Sequence, residues 1–167
     1  MKKKLTILVS VCLIAINLSA QDYNKDVQSI DAIIKALYEV ISGEGNEPRD
    51  WDRFRYLFAK DARLIPTSKT ADSNYTYRII TPEEYITRFS ARTMGFYEWE
   101  LSRKTEAYGT IAHVFTAYAT KYTKDGPITN RGINSIQLLK DKNRYFILNV
   151  FWCGEDSGFK LPEPYVN

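Results

Sequence analysis

His113 is the sole histidine of the 167-residue chain, and imidazole is the side chain best suited to move a proton near neutral pH. It lies in a β-prone stretch. Period-two alternation puts it on one face with Ile111, Phe115 and Ala117, which predicts an interior or a pocket wall. Two roles fit that setting: an acid–base partnered by a carboxylate such as Glu98 or Glu100, or a structural residue held by a hydrogen bond. Arg131, Asn134 and Gln137 form a second polar set on an otherwise apolar strand. Alternation sends Arg131 and Gln137 to one face and Asn134, between Gly132 and Ile136, to the other. Polar groups mid-strand either meet a ligand or satisfy backbone at a bend. Tyr38, Trp51 and Trp152, with Trp99 and Tyr118, supply aromatic surface that lines a cavity or fills a core. The candidate ligand-binding set is therefore Tyr38, Trp51, His113, Arg131, Asn134, Gln137 and Trp152, with His113 as the catalytic candidate.

Other chemistries lack their residues. One His and two Cys, Cys12 and Cys153, do not make a His- or Cys-based metal site. There is no glycine loop for a nucleotide and no serine elbow for acyl transfer, so no cofactor is expected. Cys153 ends the apolar run Val150-Phe151-Trp152 and reads as an inert thiol.

The elements that must hold these residues follow from periodicity. From Asp26 to Ser42 the apolar positions Val27, Ile30, Ile33, Ile34, Leu37, Tyr38 and Ile41 make one helical face, ended by Gly43 and Gly45. Asp50 caps a shorter helix carrying Trp51, Phe54, Leu57 and Phe58. Ala62 to Ile65 reads as a short strand stopped by Pro66, residues 67–74 as a loop, and Tyr75 to Ile80 as β-prone. Thr81-Pro82-Glu83-Glu84 is a capping box with proline at the first helical position, and the helix it opens runs to about Arg92. After Gly95 come four long strands: Phe96 to Ala107, Thr110 to Thr123, Arg131 to Leu139 and Arg144 to Cys153, with a loop from Glu155. Helices early and a meander late give an α+β domain. The last strand is apolar on both faces, which calls for a cover on each, and a second copy of the chain is the simplest second cover.

Residues 1–20 read as a signal peptide: Lys2 to Lys4, the apolar run Leu5 to Leu18, and Ser19-Ala20 before the cut. The mature domain is then 21–167, periplasmic or secreted, with no stable membrane insertion. The formal charge of +3 belongs wholly to Lys2 to Lys4, leaving 20 basic against 20 acidic residues. Those are interspersed without a patch, so no nucleic-acid partner is expected. Cys12 leaves with the signal, and a lone Cys153 makes no intrachain disulfide.

Three stretches resemble a known family: Asp50-Trp51-Asp52-Arg53-Phe54 leading to Leu57 through Ala62, Gly109 through Phe115, and Arg131 through Leu138 with the strand Arg144 to Trp152. With the element order, they are similar to the nuclear transport factor 2-like superfamily, which includes polyketide-cyclase-like (SnoaL-like) and ketosteroid-isomerase-like proteins. The resemblance implies a bent antiparallel sheet wrapped around three N-terminal helices as a cone-shaped α+β barrel. It also implies a pocket at the open end and a homodimer through the sheet. The fold hosts enzymes and non-enzymes alike. Isomerase members place an acidic base after the first strand; their Phe-Ala-Asp-Asp-Ala pattern matches Phe58-Ala59-Lys60-Asp61-Ala62, and the base position then falls on Pro66, which cannot take a proton. Asp61 reads as a turn residue. The leading expectation is a binding domain for a small, largely apolar molecule. The alternatives are a polyketide-cyclase-like or dehydratase-type enzyme using His113 with a carboxylate, and a non-catalytic structural or protein-interaction module.

Overall fold

A computed structural model describes residues 22–165. The signal segment 1–20, and with it the lysine triplet and Cys12, lies outside the described residues. A single 3-10 turn, Asn24–Val27, leads into α1 (Ile30–Ile41), where Ser29 Oγ accepts from Ala32 N at 3.0 Å as the N-cap. In α2 (Trp51–Leu57), Asp50 caps Arg53 N at 2.9 Å. In α3 (Pro82–Ser90), both halves of the capping box form: Glu84 N donates to Thr81 Oγ1 at 3.2 Å, and Thr81 N donates to Glu84 Oε2 at 2.7 Å. Arg53 ties the first two segments together, donating to Asp26 at 2.7 Å and to Glu39 at 2.9 Å.

Six strands make one sheet: β1 (Phe58–Lys69), β2 (Tyr75–Tyr77), β3 (Tyr97–Tyr108), β4 (Ile111–Lys121), β5 (Asn130–Asp141) and β6 (Arg144–Gly154), in the order β2-β1-β6-β5-β4-β3. Three points differ from expectation. The sheet is mixed rather than purely antiparallel, because β1 runs parallel to β6. It is open, with β2 and β3 as edges, so the cone is not a closed barrel. Third, β1 passes straight through Pro66 to Lys69. The proline is tolerated because it closes the pairing with β6, opposite Trp152, while its own carbonyl accepts from Arg78 N at 3.1 Å across a lone contact; the missing N–H is not needed in a ladder. Thr67, Ser68 and Lys69 then pair with β2.

The helices cover the concave face. Ile33, Ile34, Phe54, Leu57, Val114, Ile136, Leu138 and Ile147 are fully buried there. The convex face has its own cover. The tail expected as loop makes two 3-10 turns, Glu155–Ser157 and Glu163–Tyr165, and lays Leu161 and Tyr165 against Leu101, Phe115, Ala117 and Ile133. The double-sided apolarity of the strands is thus met in part by the chain itself. Phe151 and Ile111 stay uncovered on that face, 43% and 61% exposed.

Candidate functional site

All three helices and five of the six strands converge on a cavity of about 270 Å³. Its walls are Leu37 and Ile41 of α1, Phe54 of α2, Tyr85 and Phe89 of α3, Leu64 of β1, Phe96 just before β3, and Val150 and Trp152 of β6. The polar groups are Glu98 of β3, Tyr118 and Thr120 of β4, Tyr122 beyond it, and Asn130 and Asn134 of β5, with Arg92 at the mouth. Asn134 and Tyr118 are buried and form the floor, while Arg92 and Tyr122 are exposed and form the rim. A pocket of mostly apolar walls with a few convergent polar groups is the ordinary form of a small-molecule site.

Glu98 is held from both backbone and side chain. The end of α1 pins its main chain: Glu98 N donates to Ser42 Oγ at 2.9 Å, and Gly43 and Phe96 exchange backbone bonds of 2.8 and 3.0 Å. Its Oε1 accepts from Asn134 Nδ2 at 3.2 Å. No cation lies within ion-pair distance of it among the described residues. Burial therefore pushes the carboxyl up to about 7, against the opposing pull of the Asn134 hydrogen bond. Burial, and after it the charge of Glu98, also pushes the phenols of Tyr38, Tyr85 and Tyr118 up. The group is thus a lone carboxyl among three tyrosine rings, poised to gain or lose a proton near neutrality.

Behind the floor runs a directed chain of hydrogen bonds. Asn134 Nδ2 donates to Tyr38 Oη at 3.1 Å, Tyr38 meets Thr116 Oγ1 at 3.3 Å, and Thr116 donates to Glu100 Oε1 at 2.7 Å. Arg103 anchors Glu100 at 3.2 Å and reaches Asp31 of α1 at 3.0 Å. Gly132 makes room for the floor: a Cβ there would lie 2.4 Å from Cys153 O and 2.5 Å from Tyr118 Oη.

The sequence-derived candidates divide by face. Asn134 and Trp152 line the cavity, and Tyr38 backs it through Asn134. Trp51 sits one layer behind, edge-on to Phe54 and Phe89 at 5.7 and 5.8 Å. His113, Arg131 and Gln137 are on the convex face. His113 Nε2 meets Ser135 Oγ at 2.9 Å, its ring tilts against Phe115, and Glu106 is its cross-strand neighbour, all on the side of the sheet away from this cavity. Glu98 and Glu100 point to the opposite side of the sheet. Arg131 is paired with Glu155 at 2.8 Å, and Gln137 lies between His113 and Asn149 across the strands. Sequence reading passed over Glu98 as a site residue in its own right, and over Arg92, Tyr85, Thr120, Tyr122 and Asn130. The one available signal was the alternation Tyr97-Glu98-Trp99-Glu100, which places two carboxylates on a single face. Among the described residues no three His, Cys, Asp or Glu side chains converge to hold a metal ion, and no helix is long and apolar enough to cross a membrane.

No protein-family model matches the chain, and no curated protein matches it by sequence. Solved structures do match by shape. A ketosteroid isomerase-like protein of Shewanella frigidimarina aligns with TM-score 0.50 at 13% identity, over 72% of this chain and 91% of that one. A scytalone dehydratase-like protein of Novosphingobium aromaticivorans aligns with TM-score 0.53 at 14% identity, over 75% and 80%. The association domain of CaMKII from C. elegans aligns with TM-score 0.52 at 15% identity, over 74% and 91%. The shape likeness, with the helix-filled open cone of this chain, fits a nuclear transport factor 2-like fold.

Proposed function

We propose that this protein is an exported binding domain that holds a small, largely apolar molecule in the cavity between its helices and the concave sheet face. The observation that carries the reading is the cavity itself: aromatic and aliphatic side chains make most of its walls, and a few polar groups stand at the floor and the mouth. At the packing density of protein interiors it has room for roughly a dozen heavy atoms. Native mass spectrometry of protein purified from its own host tests this: a retained small-molecule mass supports it, and repeatedly empty spectra overturn it. The same spectra give the mature N-terminus, which cleavage after Ala20 places at Gln21. The similarity to an association domain and the uncovered Phe151 and Ile111 support a homodimer through the convex face, which sedimentation at micromolar concentration tests.

A second reading rests on Glu98. A carboxyl poised near neutrality inside a cavity is what proton abstraction next to a carbonyl needs. It recasts the polyketide-cyclase-like or dehydratase-type alternative with Glu98 in place of His113. Incubating 2-tetralone with the protein in D₂O, with E98Q as control, tests it by Glu98-dependent deuterium incorporation; equal exchange in both proteins refutes it.

A further inference from the structure

The cavity has a polarity. At its mouth, the Arg92 guanidinium lies over Phe89 at 5.2 Å and Phe96 at 4.9 Å, and makes no salt bridge among the described residues. Two aromatic rings hold the cation in place while its N–H edge goes unmatched by any carboxylate. At the floor, the Tyr118 hydroxyl stands beside two acceptors, so a hydroxyl of an occupant can donate and accept there. Both amide donors of Asn134 are spent, on Tyr38 and Glu98, which leaves Asn134 Oδ1 and Glu98 Oε2 to an occupant. Tyr85 also lines the cavity, stacked on Phe54 and Phe89 at 5.3 Å each. The walls between rim and floor are therefore flat aromatic faces. A cation at one end, rings along the walls and acceptors at the other end specify an occupant that is anionic, then flat, then a hydrogen-bond donor.

Resting on the binding reading above, we propose that the cavity takes a hydroxyaryl carboxylate, its carboxylate on Arg92 at the mouth and its hydroxyl donated to the Asn134–Glu98 pair on the floor. The order of groups matters: an aryl amine would bring a cation to Arg92, and a plain hydrocarbon would leave the floor acceptors unpaired. 4-Hydroxycinnamate has the required three parts at about the size the cavity admits.

Titration calorimetry of the intact mature protein with four probes tests this: 4-hydroxycinnamate, its methyl ester, cinnamate and tyramine. The expected order is 4-hydroxycinnamate first, with ester and cinnamate each weaker by about tenfold, the value of one charge-assisted or buried hydrogen bond. Tyramine should be weaker still. Arg92 is exposed, so R92Q should fold, as checked by thermal unfolding. It should cut the affinity for 4-hydroxycinnamate about tenfold and leave the ester's within about twofold. If ester or tyramine binds as well as the acid, or R92Q weakens both alike, the hydroxyaryl carboxylate assignment falls while the apolar cavity reading stands. If cinnamate equals 4-hydroxycinnamate, the floor contact is wrong and the assignment also falls. If none of the four binds, the assignment falls, and the native mass spectra decide the binding reading separately.

Discussion

Replacing Glu98 by Gln isolates the electrostatic cost of the cavity floor. The carboxyl is pushed up to about 7 in the folded chain, from an ordinary 4.5. Between those two pH values the folded state holds more protons on this group than the unfolded state does. The stability contributed by Glu98 is therefore fully present below about 4.5 and is lost as pH rises to about 7. At 1.36 kcal/mol per pH unit, a difference of this size corresponds to about 3 kcal/mol at full burial. Water entering through the open mouth screens the charge and trims the loss to about 1–3 kcal/mol. The amide side chain of E98Q keeps an oxygen for Asn134 and carries no charge. E98Q should therefore be more stable than the parent at pH 8 by about 1–3 kcal/mol and nearly equal to it at pH 4.5. Urea unfolding followed by tryptophan fluorescence at half-unit steps from pH 4.5 to 8.5 measures both curves. Groups common to the two proteins cancel in the difference. Parallel curves across the whole range would refute the reasoning, and so would a gap that widens toward acid.

Three further outcomes follow from packing and capping. Gly132→Ala forces a methyl within 2.4 Å of Cys153 O and 2.5 Å of Tyr118 Oη, so it should cost about 1–3 kcal/mol in thermal or urea unfolding. Phe54→Ala removes a ring that is wholly buried between Trp51, Phe58 and Tyr85, and a loss of about 3–5 kcal/mol is expected by the same assay. Thr81→Ala removes the hydroxyl that accepts from Glu84 N at the start of α3 and leaves the backbone half of the capping box in place, with an expected cost of about 1 kcal/mol and faster amide exchange confined to that helix.

How far the sequence reaches is set by the range of the forces it encodes. Helix caps are local, so Asp50 and Thr81 were legible, and period two separated Asn134 from Arg131 and Gln137 before any strand was placed. Which face turns inward is a long-range fact. For β4, apolar company put His113 inside; yet Phe115 is apolar because Tyr165 of the tail covers it, with ring centroids 5.7 Å apart. The same cover explains β3. Leu101 serves the tail cluster on the convex side, which frees Glu98 to face the cavity against every expectation of binary patterning. Pro66 misled in a related way: it ends a strand only where the ladder needs its N–H, and the pairing partner that decides this comes from β6, far along the chain.

The chain of hydrogen bonds behind Asn134 gives the floor its direction, and that direction can be measured. Arg103 pairs with Glu100 at 3.2 Å, and Thr116 donates to the same carboxylate oxygen at 2.7 Å. With its one proton spent, Thr116 Oγ1 accepts from Tyr38, and Tyr38 in turn accepts from the Asn134 amide at 3.1 Å. Reversing the amide would set an oxygen against the Tyr38 oxygen. The carboxylate at one end therefore decides which atom of Asn134 the cavity sees. Thr116→Val removes the middle link at nearly constant volume and leaves a buried phenol with nowhere to donate, at an expected cost of about 1–3 kcal/mol. Tyr38→Phe should cost a similar amount alone, but much less in the T116V background, where its hydroxyl is already stranded. A double-mutant cycle by urea unfolding should thus give a coupling of about 0.5–3 kcal/mol. Additive costs would mean that Tyr38 and Thr116 act separately and that Asn134 takes its orientation from something else.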